Sequence, residues 1–485
     1  MVSRTDYMRG SVPRIRPPLD PGFYPLILQM QALELSVRPE ISAEKITIAL
    51  RRNSGQISHY SLRIPPRSRE PDPATFFCIE RTVKFLLWSR GAFEVTLSGP
   101  RWIADRLSAI YCESGKRAFD AQMMERIYGH PLEIRHAPTV EELPPPNEES
   151  SPLGGHLDGC RIGFDLGASD YKLASMLEGK VLFHAEIPWN PKDQSDPSYH
   201  FAEISSGLKL AASKLPRVDA IGGSAAGVYV DNQVKVASLF RSVPAQAFEA
   251  RVRPMFLRLA EQWRVPFTVV NDGEVTALAG GLSIGSGSLL GIALGSSQAA
   301  GYLDRKGRIT GWLNELAFAP VDASQAAARD EWSGDLGVGA SYFWQQAVNR
   351  LAQRAGFNLD PGMNLAERLK YVQQRADQGD PAARGVAETI GVYLGYTLPY
   401  YARFYDLRHV LVLGRVTSGT FGDVIVSTAE EVLKKEFPHL AASISLHVPG
   451  EETRRVGQAV AAATLPETGA ASSRCAVPEN GAAEA

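Results

Sequence analysis

The alternation of apolar and polar residues predicts strands in some parts of the chain and helices in others. Residues 46–50 and 58–62 alternate in this way around an Arg-Asn-Ser-Gly turn, which predicts a β-hairpin. Apolar side chains in residues 74–89 recur at helical spacing, which predicts an amphipathic helix. The charged residues of that helix are expected to face outward as a salt-bridged surface: Glu80, Arg81 and Lys84.

The same patterns divide the chain into segments of different character. A strand at 93–97 and helices at 102–111 and 119–128 complete a small α+β module whose role the sequence does not indicate. A run rich in Pro, Glu and Gly predicts a linker, and the last residues are small and polar, as in disordered tails. The predicted boundaries are an irregular arm at 1–25, the α+β domain at 26–137, the linker at 138–158, a large α/β domain at 159–465 and the tail at 466–485.

Composition excludes several classes of function. The chain has 485 residues, of which 44% are apolar and 21% charged, and its formal net charge is −2. This net charge gives no overall electrostatic attraction to nucleic acid or to an anionic membrane. Its four cysteines, Cys78, Cys112, Cys160 and Cys475, lack metal or redox spacing. No stretch approaches the roughly 18 apolar residues of a spanning helix, which favours a cytoplasmic location without nucleic acid or membrane partners.

Three short runs after residue 160 place acidic or small residues directly after an apolar strand. They are 165–170 (Asp-Leu-Gly-Ala-Ser-Asp), 269–274 (Val-Val-Asn-Asp-Gly-Glu) and 294–297 (Leu-Gly-Ser-Ser). At such turns a phosphate or a reacting hydroxyl is within reach of backbone N–H groups and a carboxylate. The three runs in this order indicate a two-lobed nucleotide phosphotransferase.

With these motifs, residues 160–465 resemble the ROK family (repressors, open reading frames and sugar kinases) of the actin-like ATPase superfamily. Residues 162–170 and 290–302 are similar to its two phosphate loops, and 414–419 to its adenosine loop. The resemblance implies a two-lobed α/β actin-like ATPase (ribonuclease H-like) fold, preceded here by the α+β domain. It also implies ATP and Mg²⁺ as cofactors and a sugar as substrate, and leaves a homodimer open.

The resemblance assigns roles to individual residues. Asp272 corresponds to the general base, because a carboxylate within hydrogen-bond reach of a hydroxyl takes its proton during phosphoryl transfer. The implied substrate ligands are Asn271, Glu315 and Gly227. The implied nucleotide-binding residues are Asp165, Gly167, Ser169, Gly295, Ser296, Gly414 and Gly419. Asp165 is also the implied metal ligand.

The chain departs from the family pattern in the substrate region. Ala317 and Phe318 stand where glycine and a sugar- and zinc-binding histidine are usual, and residues 330–339 contain no cysteine. Zinc is therefore not expected. Glu331 or Asp335 is a candidate replacement for the family's second sugar-binding glutamate. Arg415 replaces a glycine, where its guanidinium either stacks on adenine or blocks it.

Two functions follow from this balance of matches and departures. The first is an ATP- and Mg²⁺-dependent kinase that phosphorylates a sugar or sugar-like hydroxyl. The alternative is a sugar- or nucleotide-sensing regulator with little or no turnover. A DNA-binding repressor is disfavoured, because residues 26–137 read as mixed α+β without a basic recognition helix.

Overall fold

The computed structural model describes residues 12–37, 43–66, 72–148, 153–295, 297–448 and 451–468. The chain forms two compact units. Unit 1 comprises Met1–Glu149, Ile292–Ala299 and Trp312–Val448, and unit 2 comprises Ser150–Gly291, Ala300–Gly311 and Pro449–Ala485. The predicted start of the arm, residues 1–11, and most of the predicted tail, residues 469–485, lie outside the described residues.

The helices and strands of unit 1 come from two separate parts of the chain, residues 26–137 and residues 340–447. Its helices are α1 (Leu26–Ser36), α2 (Pro73–Ser89), α3 (Arg101–Ile110), α4 (Ala118–Tyr128), α8 (Ala340–Phe343), α9 (Gln345–Arg354), α10 (Leu365–Asp377), α11 (Pro381–Tyr401), α12 (Gly419–Glu436) and α13 (Pro438–Ala441). Its strands are β1 (Glu44–Arg51), β2 (Ile57–Ile64), β3 (Glu94–Ser98), β4 (Glu133–Ala137), β14 (His409–Leu413) and β15 (Ser445–His447).

Unit 2 is built around a central sheet. Its helices are α5 (Pro197–Ala212), α6 (Met255–Trp263), α7 (Asp272–Ile284) and α14 (Glu451–Ala463). Its strands are β5 (Cys160–Leu166), β6 (Asp170–Leu177), β7 (Lys180–Pro188), β8 (Ala220–Ala225), β9 (Val228–Val230), β10 (Gln233–Val236) and β11 (Phe267–Asn271). The chain passes between the units within β12 (Leu289–Leu294) and β13 (Gln298–Leu303), which belong to a sheet of order β13-β12-β14-β15.

The predicted hairpin is confirmed. Strands β1 and β2 pair antiparallel with Ile46 opposite Leu62 and Leu50 opposite Ser58, and the sheet continues in the order β2-β1-β3-β4. The sequence treated residues 26–137 as a domain of their own, whereas the structure groups them with 292–299 and 312–448. Part of the predicted linker also joins this sheet, because the backbones of Ile57 and Asn147 exchange hydrogen bonds of 2.8 and 2.9 Å.

The predicted helix at 74–89 is present as α2, but the expected orientation of its charges is wrong. Glu80, Arg81 and Lys84 are 5%, 2% and 0% exposed. Helical periodicity alone assigned them to solvent, since they lie off the most apolar face. Later segments of the chain cover the charged face as well, and α2 is buried on nearly every side.

Asp-Pro pairs set the start of three helices. Asp72, Asp196 and Asp380 are the N-caps of α2, α5 and α11, and each accepts hydrogen bonds from backbone N–H groups of the first turn. A proline follows each aspartate, where the missing N–H costs nothing and the fixed φ suits the first helical residue. These boundaries are therefore local properties of the sequence.

The central sheet of unit 2 has the order β11-β8-β5-β6-β7, with β5, β8 and β11 parallel. Helix α14 lies directly on it. A Cβ atom at Gly163 would lie 1.8 Å from the Ala459 carbonyl oxygen, and one at Gly222 would lie 1.7 Å from that of Ala462. Only glycine allows this close approach. No helix among the described residues is long and apolar enough to cross a membrane.

Candidate active site

The ends of three parallel strands bring the predicted chemistry of unit 2 to one edge of the sheet. Leu166 of β5 pairs with Ala225 of β8, and Ala225 pairs with Asn271 of β11. Neighbouring strands lie about 4.8 Å apart, so residues at the ends of β5 and β11 have backbones roughly 10 Å apart. Side chains that leave these ends can approach a common ligand.

Asp165 is almost fully buried at this edge, with 4% of its surface exposed. Its Oδ1 accepts a 2.6 Å hydrogen bond from the Ser224 hydroxyl, and its Oδ2 lies 3.8 Å from the Lys172 ammonium. Burial raises the pKa of Asp165, although the Ser224 hydrogen bond and the Lys172 charge oppose the rise. Lys172 also contacts Asp170 at 3.1 Å.

Sequence reasoning missed Lys172 and Ser224 as site residues. Strands β5 and β6 pair antiparallel with Lys172 directly opposite Asp165, and β8 places Ser224 beside Asp165 on the other side. A hairpin register drawn across residues 167–170 would have revealed the first pairing, because a four-residue loop puts residue 172 opposite residue 165.

The loop between β5 and β6 is a tight turn held by its own hydrogen bonds. The Gly167 N–H donates to the Asp170 carbonyl at 3.0 Å, and the Trp189 indole N–H donates to the Gly167 carbonyl at 2.9 Å. The Ser169 hydroxyl donates to the Asp170 carboxylate at 2.9 Å. The predicted residues Gly167 and Ser169 thus lie beside Asp165 in a preformed turn.

Asn271 and Asp272 stand where β11 becomes α7. The Asn271 side chain caps the helix by accepting from the Gly273 N–H at 2.7 Å, and its amide donates to the Gly227 carbonyl at 2.6 Å. Gly227 has a φ of 129°, and a Cβ atom there would lie 2.3 Å from the Val236 carbonyl oxygen. Asp272 Oδ1 accepts from the same Gly273 N–H at 3.0 Å, so the three predicted residues belong to one hydrogen-bonded group.

Asp272 is a partly exposed carboxylate with a raised pKa. Part of its surface remains exposed, and no ion pair to it is present among the described residues. Burial, and next the negative charge of Asp165, raise the pKa of Asp272 to about 6. A carboxylate with such a pKa is ionised at neutral pH and accepts a proton more readily than an ordinary aspartate.

We expect Asp165→Asn to lower the pKa of Asp272, because the substitution removes the like charge and leaves burial in place. Carbon-13 NMR titration of aspartate-labelled protein measures this value, with the Asp272→Asn spectrum identifying the resonance. Asp170→Asn is the matched control, since Asp170 does not contribute to the Asp272 shift. An unchanged Asp272 pKa in Asp165→Asn would contradict the coupling.

The predicted nucleotide-binding glycines of unit 1 lie in turns. The Gly295 N–H donates to the Ser297 carbonyl at 3.0 Å, and Ser296 lies outside the described residues. Gly414 directly follows β14 and has a φ of 107°, and a Cβ atom there would lie 2.3 Å from the Leu294 carbonyl oxygen. Gly419 begins α12. The exposed Arg415 leaves this turn between the two glycines.

Glu315 lies in a segment that packs against the end of α2. The N–H groups of Leu313, Asn314 and Glu315 donate to the carbonyls of Arg90, Ser89 and Trp88 at 2.9–3.3 Å. These carbonyls are the ones that a helix end leaves without intrahelical partners. The amino-terminal half of unit 1 therefore fixes the backbone of the predicted substrate residue, a relation that the sequence gives no sign of.

Phe318, at the position of the family histidine, is buried among aromatic rings. Its ring centroid lies 4.4 Å from that of Trp88, 5.4 Å from that of Phe119 and 5.2 Å from that of Trp332. No group of three or more His, Cys, Asp or Glu residues in the described part of the chain is arranged to hold a metal ion.

Asp335 belongs to a buried charge cluster, which we define as Glu80, Arg81, Lys84, Arg117, Asp120 and Asp335. The Asp335 carboxylate contacts the guanidinium groups of Arg81 and Arg117 at 3.3 and 2.5 Å and the Lys84 ammonium at 3.2 Å. Although burial favours the neutral acid, Arg81 and Lys84 hold the pKa of Asp335 below its usual value. Asp335 is thus committed to this cluster, which leaves Glu331 as the candidate substitute for a second substrate carboxylate.

Sequence comparison finds no matching family model and no matching curated protein. Among solved structures, a ROK family transcriptional regulator, described as a homolog of the E. coli MLC protein, matches with a TM-score of 0.52 and 18% identity. The match covers 64% of this chain and 78% of that one. The chain has the ROK fold.

Two kinases with the ROK fold are also similar in structure. The ROK hexokinase of Thermus thermophilus matches with a TM-score of 0.48 and 18% identity, over 62% of this chain and 97% of that one. The ROK glucokinase of Streptomyces griseus, solved with glucose and AMPPNP, matches with a TM-score of 0.44 and 20% identity, over 62% and 98%. The match to the transcriptional regulator confirms the predicted actin-like α/β fold.

Proposed function

We propose that this protein transfers the γ-phosphoryl group of ATP to a hydroxyl group of a sugar or sugar-like substrate. The observation that supports this most is the state of Asp272, a partly exposed carboxylate whose pKa is about 6. Phosphoryl transfer to an alcohol requires a base at the attacking hydroxyl and little other covalent chemistry from the protein. Asp272 supplies such a base at neutral pH.

In this proposal Asp272 and Asn271 have separate tasks. Asp272 takes the proton of the substrate hydroxyl while the hydroxyl oxygen forms a bond to the γ-phosphorus. The bond between the γ-phosphorus and the bridging oxygen of the β-phosphate breaks, which releases ADP. Asn271, held by its hydrogen bonds to Gly227 and Gly273, offers an amide to a neighbouring hydroxyl. Glu315, Gly295, Gly414 and Gly419 remain predicted ligands of substrate and nucleotide.

The fold implies Mg²⁺, and the residues around Asp165 fit an ion that arrives with a nucleotide. Mg²⁺ is commonly held by one or two carboxylates together with substrate phosphates, and Asp165 offers such a carboxylate. The ammonium of Lys172, 3.8 Å from Asp165 Oδ2, repels a free cation but attracts phosphate oxygens. When bound, Mg²⁺ would neutralise charge that develops on the phosphates.

The proposal is tested by measuring ATP consumption and phosphosugar formation across hexoses, N-acetylhexosamines and polyols. We expect sugar-dependent turnover, with kcat/KM rising as the pH increases and levelling off above about 6, because Asp272 must be ionised to act. Turnover that is absent with every sugar, or that is constant between pH 5 and 7, would contradict the proposal.

A sensor that binds sugar or nucleotide without turnover is the second candidate. The observation that favours it is the side chain of Phe318, which is 5% exposed and packs on aromatic rings where the family has a polar sugar contact. Saturable sugar or nucleotide binding by both the wild-type protein and Asp272→Asn, with no turnover, would establish this function instead. The cytoplasmic location and a homodimer remain predictions.

A further inference from the structure

Trp332 is an aromatic residue that exposes a large apolar surface to water. The side chain is 61% exposed. An indole carries one of the largest apolar surfaces among side chains, and tryptophan is usually buried for most of its area. An exposed tryptophan is therefore a feature to explain, and a ligand that covers it would remove apolar surface from water.

Two aromatic rings hold the Trp332 indole from one side. The indole makes T-shaped contacts with Phe119 and Phe318, with centroid distances of 5.8 and 5.2 Å and interplanar angles of 73° and 67°. Such edge-to-face contacts fix the direction of a ring without covering it. The rest of the indole stays open to solvent.

The turn that carries Trp332 is closed by several hydrogen bonds. The Asp330 carboxylate, which is 4% exposed, accepts hydrogen bonds of 2.7 and 2.6 Å from the backbone and hydroxyl of Ser333. The Asp330 and Gly334 N–H groups close the turn at 2.8 and 2.9 Å, and Asp335 anchors it in the buried charge cluster. Because the indole is already ordered, a ligand that stacks on it loses little additional entropy.

The residue before Trp332 in the sequence carries a polar group suited to hydroxyls. The exposed Glu331 carboxylate accepts a 3.0 Å hydrogen bond from the Gln346 amide. Phe318, which contacts the indole, lies in the same turn as Glu315, since its N–H donates to the Glu315 carbonyl at 3.2 Å. The aromatic platform is thus continuous with the segment of the predicted substrate residue.

We propose that Trp332 is a stacking platform for a closed sugar ring. A pyranose has a face of C–H groups, which suits an indole, and an edge of hydroxyls, for which Glu331 and its partner Gln346 offer polar groups. This assignment rests on the proposed function, and it adds Trp332 to that site as the contact for the apolar face of the sugar. Trp332 is then a residue that determines specificity and is distinct from the base Asp272.

Isothermal titration calorimetry of the full chain tests the platform, with D-glucose and N-acetyl-D-glucosamine as ring probes and sorbitol as an open-chain probe. We expect at least one ring sugar to bind, Trp332→Ala to weaken that binding about tenfold, and Trp332→Phe to weaken it about threefold. Sorbitol affinity is expected to be equal in all variants. Tyr371→Ala is the matched control, because Tyr371 is another exposed aromatic residue of unit 1 with a T-shaped contact, to Phe357.

The outcomes separate this inference from the proposed function. Equal affinity of the wild type and Trp332→Ala overturns the platform, and continued turnover would then leave the kinase proposal intact. Loss of ring-sugar binding in Trp332→Ala, in a protein without turnover, supports the platform and overturns the kinase. A concentration-dependent dimer that Trp332→Ala abolishes, with sugar binding unchanged, identifies a second copy of the chain as the occupant and overturns the platform. Failure of every ring sugar to bind the wild type also overturns it.

Discussion

Replacing Asp272 with asparagine is expected to lower kcat about 10²- to 10⁴-fold, the usual contribution of a positioned general base. The amide cannot take a proton from the substrate hydroxyl, whereas its size keeps the hydrogen bond to the Gly273 N–H. Because the base acts mainly in the transition state, KM is expected to change much less than kcat. Steady-state kinetics with the best sugar of the panel measures both constants.

The same substitution is expected to stabilise the fold at high pH. The folded-state pKa of Asp272, about 6, lies above the ordinary value of 3.8, so the native state binds the extra proton. Stability therefore falls as the pH rises from 4 through 6, and the full penalty is present above that range. Asp272→Asn removes about 1–3 kcal/mol of penalty at pH 8 and almost none at pH 4. Thermal unfolding of both proteins across this range measures the difference.

Asp231→Asn is the matched control for both measurements. Asp231 is an exposed turn residue of unit 2 with a φ of 51°, a conformation that asparagine also tolerates. This variant is expected to retain wild-type activity and stability. An Asp272→Asn protein with wild-type kcat, or one that is less stable than the wild type at pH 8, would exclude Asp272 as a catalytic base whose raised pKa costs stability.

Lys84→Met is expected to reduce the free energy of unfolding of unit 1 by about 3–5 kcal/mol, the usual cost of removing one partner from a buried ion pair. The Lys84 ammonium is fully buried and contacts Asp120 at 2.5 Å and Asp335 at 3.2 Å. Methionine fills a similar volume but leaves Asp120 with the Trp88 indole N–H as its remaining partner. Burial already raises the pKa of Asp120 against the effect of Lys84, so this carboxylate is costly to keep ionised. Urea unfolding curves measure the loss.

Lys434→Met is the matched surface control. Lys434 pairs with Glu430 on an exposed helix face, with 70% of its side chain open to solvent. Such pairs contribute less than about 1 kcal/mol, so we expect little change. The double variant Lys84→Met with Asp120→Leu is expected to recover part of the loss, because it removes the uncompensated charge. Equal stability of Lys84→Met and Lys434→Met would contradict the importance of the buried charge cluster.

Local chemistry made many of the elements predictable. The hairpin at 46–50 and 58–62, helix α2 and the Asp-Pro caps depend on residues close in sequence, so their patterns appear directly in the chain. The strand-end motifs with Asp165 and Asn271-Asp272 were visible for the same reason, since a strand that ends in a turn has a local signature. Their placement in one row depends on strand order, which the parallel register supplies.

The missed residues share a different cause. Lys172 and Ser224 lie on the strands on either side of Asp165. The hairpin register gives the pairing of Lys172 with Asp165, but only the pairing of β5 with the distant strand β8 brings Ser224 to the same carboxylate. The pKa of Asp272 is likewise a property of its surroundings, because burial and Asp165 raise it together. A motif identifies such a carboxylate but does not specify its basicity.

The sequence by itself predicted the first hairpin and helix α2 to within two residues at each end, the ROK-type fold and the candidate base, because each is encoded by neighbouring residues or by motifs in order. Only the tertiary structure decided that Glu80, Arg81 and Lys84 are buried, that residues 26–137 pack with 312–448, and that Asp335 is engaged in ion pairs. Burial of charge depends on which distant segment covers a surface and brings compensating charges. Asp335, which pairs with Lys84, lies some 250 residues after it in the chain, so no local pattern predicts this ion pair.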